Sequence, residues 1–104
     1  MAFRSDLDAV ILGVLDHGPK HGYGIVKTLS TRSNGMVKLG EGQLYPTLHR
    51  LEGDGLVSAD WLSQEGRPAK RVYCITDSGR KELEALRKTW RAFRSGVDAI
   101  LKDS

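Results

Sequence analysis

The 104-residue sequence contains one cysteine, Cys74, so no intramolecular disulfide can form and nothing points to an oxidising compartment. Its start lacks the basic, apolar and small-residue succession of a signal peptide, and no apolar run approaches the roughly 20 residues that span a bilayer, so a cytoplasmic location is expected. Repeats, low-complexity tracts and Pro/Gly/Ser-rich linkers are missing too, and the length suits one domain. Enzyme chemistry is equally scarce. His17, His21, His49 and Cys74 have no metal-ligand spacing, and Gly22 and Gly24 lack the preceding strand and glycine pattern of a dinucleotide site. His21 suits a structural hydrogen bond at a helix start, and Cys74 a small buried position in a strand. No metal, no cofactor and no catalytic activity are expected.

What is present is an ordinary globular balance, with 39% hydrophobic and 28% charged residues. Sixteen Lys and Arg against thirteen Asp and Glu give a formal charge of +3, which suits a polyanionic partner. A chain this short buries a limited core, so self-association is a natural way to cover more apolar surface.

Ser5 is a candidate N-cap for a first helix, with Asp6 and Asp8 in its first turn. Leu7, Val10, Ile11, Val14 and Leu15 form its apolar stripe, and Gly18-Pro19 ends it. A second helix is expected over about Tyr23 to Thr31, with Tyr23, Val26 and Leu29 on one side, followed by turn chemistry at Ser33-Asn34-Gly35. A third is expected from Glu41-Gly42 to about Asp54, with Leu44, Leu48 and Leu51 inward and Pro46 in the opening turn, where a missing N–H costs little. Leu56 to Leu62, with Val57, Ala59 and Trp61 alternating, and Lys70 to Ile75 read as strands joined by a turn at Ser63 to Pro68. Thr76 caps a long final helix with Asp77 in its first turn. The order α-α-α-β-β-α is mostly α with a β-hairpin, an α+β winged helix-turn-helix. Residues 1–76 form the reading unit and residues 77–104 a pairing helix, in one compact unit.

With the three leucines inward, Gln43, Thr47 and Arg50 fall on the outer side of the third helix, flanked by Tyr45 and His49. Such side chains read base edges and phosphates in a major groove, although the polar side of any amphipathic helix looks similar. Arg67, Lys70 and Arg71 cluster at the hairpin turn with only Glu65 nearby, a basic projection suited to a phosphate backbone or narrow minor groove. A basic wing beside a helix-turn-helix points to double-stranded DNA. In the last helix Leu83, Leu86, Trp90, Phe93, Val97 and Ile100 are spaced 3, 4, 3, 4, 3, a heptad stripe. It either packs on the first helix or forms a dimer seam; its length and its large aromatics favour the seam.

Several stretches resemble the PadR family of bacterial transcriptional regulators, in particular its short-tailed members. They are Ile11-Leu12-Gly13-Val14-Leu15, Gly18-Pro19, His21-Gly22-Tyr23-Gly24-Ile25 and Glu41-Gly42-Gln43-Leu44-Tyr45-Pro46-Thr47-Leu48-His49-Arg50-Leu51-Glu52. Gly55-Leu56-Val57, Arg71-Val72-Tyr73-Cys74-Ile75-Thr76-Asp77-Ser78-Gly79 and Trp90 complete the set. The resemblance covers nearly the whole chain, and the run from Leu44 to Glu52 is its most specific part. It implies a homodimeric repressor on an inverted-repeat operator, with the helix matching Gly42–Glu52 in the major groove and Tyr45 on the phosphate backbone. It also implies a wing matching Arg67–Arg71 on a neighbouring groove or backbone. Some family members release DNA on binding a phenolic acid or a flat hydrophobic drug, which implies an aromatic effector stacked on Trp90, a residue that also suits a plain seam position. Gln43 stands where the family often has Thr or Ser, so the resemblance does not carry the operator sequence. The rival reading is a dimeric protein-interaction module without DNA binding.

Overall fold

The computed structural model describes the backbone of residues 4–102 and the side chains of residues 7–102. Helix α1 spans Arg4–Leu15, so Ser5 lies inside its first turn and does not precede it; the side chains of Ser5 and Asp6 lie outside the described residues. Strand β1 (Lys20–His21), α2 (Gly22–Arg32), α3 (Glu41–Gly53), β2 (Val57–Gln64), β3 (Arg67–Ile75) and α4 (Asp77–Leu101) follow. The expected order of helices and hairpin holds, with one addition. The two-residue β1 pairs antiparallel with β3, Lys20 opposite Tyr73 and His21 opposite Val72, which makes a three-stranded sheet in the order β1-β3-β2.

The core forms where the apolar stripes of the helices meet the root of the hairpin. Ile11, Leu12, Leu15, Ile25, Leu44, Leu48, Leu51 and Val57 are completely enclosed, and Leu39, Tyr73, Ile75 and Leu83 close the periphery. Burying each large aliphatic side chain is worth about 1.5–3 kcal/mol, so α3 is held mainly by its three leucines. In α2 the inward residues are Ile25 and Leu29; Tyr23, expected beside them, is 69% exposed.

Polar groups fix the joints. His21 caps α2, its Nδ1 accepting the Gly24 N–H at 3.1 Å. Thr76 caps α4, its Oγ1 accepting the Gly79 N–H at 2.9 Å and donating to the Gly55 carbonyl at 2.7 Å. The Leu56 carbonyl accepts the Thr76 N–H at 3.1 Å, and a Cβ on Gly79 would collide with that same carbonyl oxygen. Glycine is therefore required for α4 to start so close to β2. Pro46 departs from expectation. With α3 starting at Glu41, it is the sixth helical residue, beyond the unpaired opening donors, so it removes a ladder bond to the Gly42 carbonyl. At Asn34, φ is 55°, as its turn chemistry allows.

The hairpin outruns the core. Its connection is the two-residue Glu65-Gly66 turn, so Ser63, Gln64, Arg67 and Pro68 belong to strands and not to the expected loop. Of the alternating set, Val57 is buried and Ala59 half-buried, but Trp61 is exposed because no core lies beneath it. The register of β2 on β3 shifts between Leu62 and Gln64, just before the tip.

Helix α4 is 25 residues long, about 37 Å at 1.5 Å per residue. It accounts for the elongated 58 × 28 × 22 Å envelope. Its first turns pack on α1, tied by Arg80 and Arg87, each 3.5 Å from the Asp16 carboxylate. Leu83 is 3% exposed and belongs to the protomer's own core, which corrects its place in the expected seam. Leu86 is half-buried against the core; beyond it Trp90 is 46% and Ile100 76% exposed, with Val97 intermediate. No helix among the described residues is long and apolar enough to cross a membrane.

Candidate nucleic-acid interface

The geometry of α3 sorts the expected contact residues into three groups. Gly42, Tyr45, Pro46, His49 and Gly53 recur at i, i+3, i+4, i+7 and i+11 and are all exposed, so they form the outermost stripe of the helix. His49 is the polar side chain nearest its centre, with Gln43 exposed on one flank and Tyr45 on the other. Thr47, expected on the outer side, is instead buried, 9% exposed, with its hydroxyl donating to the Gln43 carbonyl at 2.8 Å. That local bond satisfies the only polar group of a small side chain, which is why the core accepts it.

Arg50 forms the third group. Its guanidinium grips the Asp8 carboxylate of α1 in a two-pronged contact, Nη2 at 2.5 Å and Nη1 at 3.2 Å, with Asp54 at 3.9 Å. The Asp8 hydrogen bond raises the Arg50 pKa against an opposing effect of burial. Tyr45 leans on the start of α2: a Cβ at Gly22 would lie 2.5 Å from its hydroxyl oxygen, so any larger residue there would displace the Tyr45 ring. Beside it, Tyr23 stacks parallel to His21 with ring centroids 6.4 Å apart. Sequence reasoning singled out neither this exposed Tyr23 nor the pairing roles of Asp8 and Glu52. Ile25 and Leu29, an alternative i, i+4 pair, were the available signal for turning Tyr23 outward.

At the hairpin, Arg67 and Lys70 are exposed near the tip. Arg71 sits further back, opposite Trp61, and its guanidinium reaches Glu52 of α3 at 2.7 Å while lying 5.6 Å from the Trp61 ring centroid. The expectation that only Glu65 offsets this basic cluster is thus corrected for Arg71. Tyr73, the next inward residue, is buried, and burial pushes its phenol above the usual tyrosine value.

A separate cleft of about 540 Å³ opens between α1 and α4, lined by Val10, Gly13, Val37, Leu86, Trp90 and Phe93 among others. The Trp90 and Phe93 rings lie 5.9 Å apart at 36°. Among the described residues no cluster of three or more His, Cys, Asp or Glu could hold a metal ion.

Four helices, a small antiparallel sheet and a projecting hairpin define a winged helix-turn-helix protein. The model of the transcriptional regulator PadR-like family matches residues 11–85, and the chain belongs to that family. A transcriptional regulator of Mycobacterium tuberculosis is 41% identical over 78 residues, covering 72% of this chain and 69% of the relative. A solved transcriptional regulator from Clostridium thermocellum superposes with a TM-score of 0.85 over 94% of this chain and 95% of its own; at 24% identity it supports the fold. Bacillus subtilis PadR, solved in complex with operator DNA, is 30% identical with a TM-score of 0.70, over 76% of this chain and 45% of that one. The present chain therefore spans under half the length of that PadR. These proteins are transcriptional regulators, not enzymes.

Proposed function

We propose that the protein is a homodimeric repressor that binds double-stranded DNA sequence-specifically on an inverted-repeat operator. One observation carries this reading: the outer face of α3, with Tyr45 and His49 on its outermost stripe and Gln43 on the flank, is exposed beside a hairpin whose tip bears Arg67 and Lys70, the two joined through Glu52 and Arg71. A major groove about 12 Å wide admits such a helix. The imidazole of His49 and the amide of Gln43 offer donors and acceptors to base edges, the Tyr45 hydroxyl suits a phosphate, and Arg67 and Lys70 suit a flanking backbone or minor groove. The family relative solved in complex with operator DNA supports the DNA-binding reading.

Residues 1–76 form the reading unit and residues 77–104 pair the copies, through Leu86, Trp90, Phe93, Val97 and Ile100. Pairing there presents two α3 helices to half-sites about 34–36 Å apart. The α1–α4 cleft, within the usual range of roughly 300–1,000 Å³ for ligand pockets, takes a flat aromatic or hydrophobic effector against Trp90. The protein works in the cytoplasm.

Binding to the promoter fragment upstream of the protein's own gene, measured at two salt concentrations, tests the DNA reading. Affinity falls with salt, and Arg67→Ala with Lys70→Ala weakens binding and flattens the salt slope by about 0.9 for each phosphate that is no longer neutralised. Absent or salt-independent binding leaves the dimeric interaction module as the better account. For the effector, Trp61→Phe leaves Trp90 as the sole tryptophan, and quenching by flat aromatics reports occupancy.

A further inference from the structure

Charge and position group three arginines and one lysine as DNA contacts, yet the structure separates them into two kinds. Arg67 and Lys70 are exposed near the hairpin tip. Arg50 and Arg71 are each committed to a carboxylate on another element: Arg50 of α3 to Asp8 of α1, and Arg71 of β3 to Glu52 of α3. The first pair is the more shielded, with side-chain exposures of 33% for Arg50 and 17% for Asp8. Arg50 is also half-buried, and its contact with Asp8 turns the side chain towards α1, whereas Gln43 on the same flank is exposed. Helix α3 thus carries one charged tie to its neighbour helix and another to the wing.

We propose that Arg50 and Arg71 are positioning residues, which set α3 against α1 and the hairpin against α3, and that neither guanidinium is a phosphate contact. The two-pronged Arg50–Asp8 contact engages two of the five guanidinium donors in a fixed fork and the single Arg71–Glu52 bond engages one, and each holds its guanidinium against a neighbouring element. Turning Arg50 to DNA would strand the shielded Asp8 carboxylate without its cation, a costly exchange. Two ties on one helix hold both its tilt and the wing, and a small displacement of either moves every contact made from α3. The inference rests on the DNA-binding reading above and gives another role to two residues that the sequence alone groups with its contacts.

The decisive variant is Asp8→Asn, because the two roles predict opposite signs. If Asp8 and Arg50 brace α3, loss of the carboxylate weakens binding to the promoter fragment by about 2- to 30-fold, the range for a residue acting through another. If Arg50 is a phosphate contact restrained by Asp8, the same change tightens binding. Arg50→Ala weakens binding in either case, but removing a brace leaves the salt slope unchanged, whereas removing a phosphate-binding cation reduces it by about 0.9. The swapped pair, Asp8→Arg with Arg50→Asp, restores most of the affinity if the tie is the function, and none of it if the guanidinium must reach DNA. Arg71→Ala and Glu52→Gln are read in the same way for the wing. Thermal unfolding of the Asp8/Arg50 single and double variants keeps the inference testable without DNA. Coupled shifts of several degrees in Tm support the brace, and additive shifts overturn it even if the native protein binds no promoter.

Discussion

Helices α3 and α4 carry similar apolar stripes and use them differently. Leu44, Leu48 and Leu51 of α3 are all completely buried, whereas the stripe of α4 begins enclosed at Leu83 and ends open at Ile100. Length explains the contrast. Helix α3 has 13 residues, about 20 Å, and is surrounded by α1, α2 and β2. Helix α4, at about 37 Å, outlasts the 12-residue α1 on which it packs, which is about 18 Å long. Periodicity thus defines a face, while the reach of the neighbouring elements decides whether the same chain can cover it.

The sharpest way to break this comparison is to truncate one residue of each stripe. Leu48→Ala removes packing at a site with no exposure and is expected to cost about 2–5 kcal/mol in denaturant unfolding. Ile100→Ala should change unfolding of the dilute protomer by less than about 0.5 kcal/mol. Equal effects would mean the two stripes are alike after all. Next in size, Val97→Asp with Ile100→Asp is expected to raise the dimer dissociation constant at least about tenfold, some 1.4 kcal/mol, in analytical ultracentrifugation. An unchanged association state would remove the tail from the proposed seam. Thr76→Ala deletes the α4 cap and should cost about 1 kcal/mol, with Thr76→Ser recovering most of it. The smallest effect concerns Tyr73. Burial raises its pKa, so above the usual tyrosine value the unfolded chain releases a proton that the native chain keeps, and stability falls as pH rises through that window. Tyr73→Phe should flatten this alkaline decline in unfolding measured between neutral and strongly basic pH.

Local chemistry made much of the fold legible. The α3 leucines, the Thr76 cap and the Asn34 turn are each specified by residues within a few positions of one another. Features set by distant partners were not legible in the same way. Strand β1 exists because Lys20 and His21 meet Tyr73 and Val72, and a two-residue strand has no periodicity to read. Asp8 and Arg50 are 42 positions apart, and Glu52 and Arg71 are 19 apart, so nothing local marked those arginines as engaged. Thr47 misled for another reason: a polar residue type suggests solvent, but its hydroxyl finds the Gln43 carbonyl and its methyl group suits the interior. The candidate interface was legible as a region, through α3 and the hairpin. Which of its side chains stand clear depended on contacts that only the folded chain brings together.

The junction between β3 and α4 has a mechanical consequence. Ile75 ends the strand, Asp77 begins the helix, and the one residue between them is bonded to both Gly55 and Leu56, while Gly79 rests against the same Leu56 carbonyl. The helix therefore has no pivot at its root. If two such tails are clasped, the bodies at their far ends behave like the jaws of a rigid caliper, and any slip at the clasp must be felt as a change in the gap between the jaws.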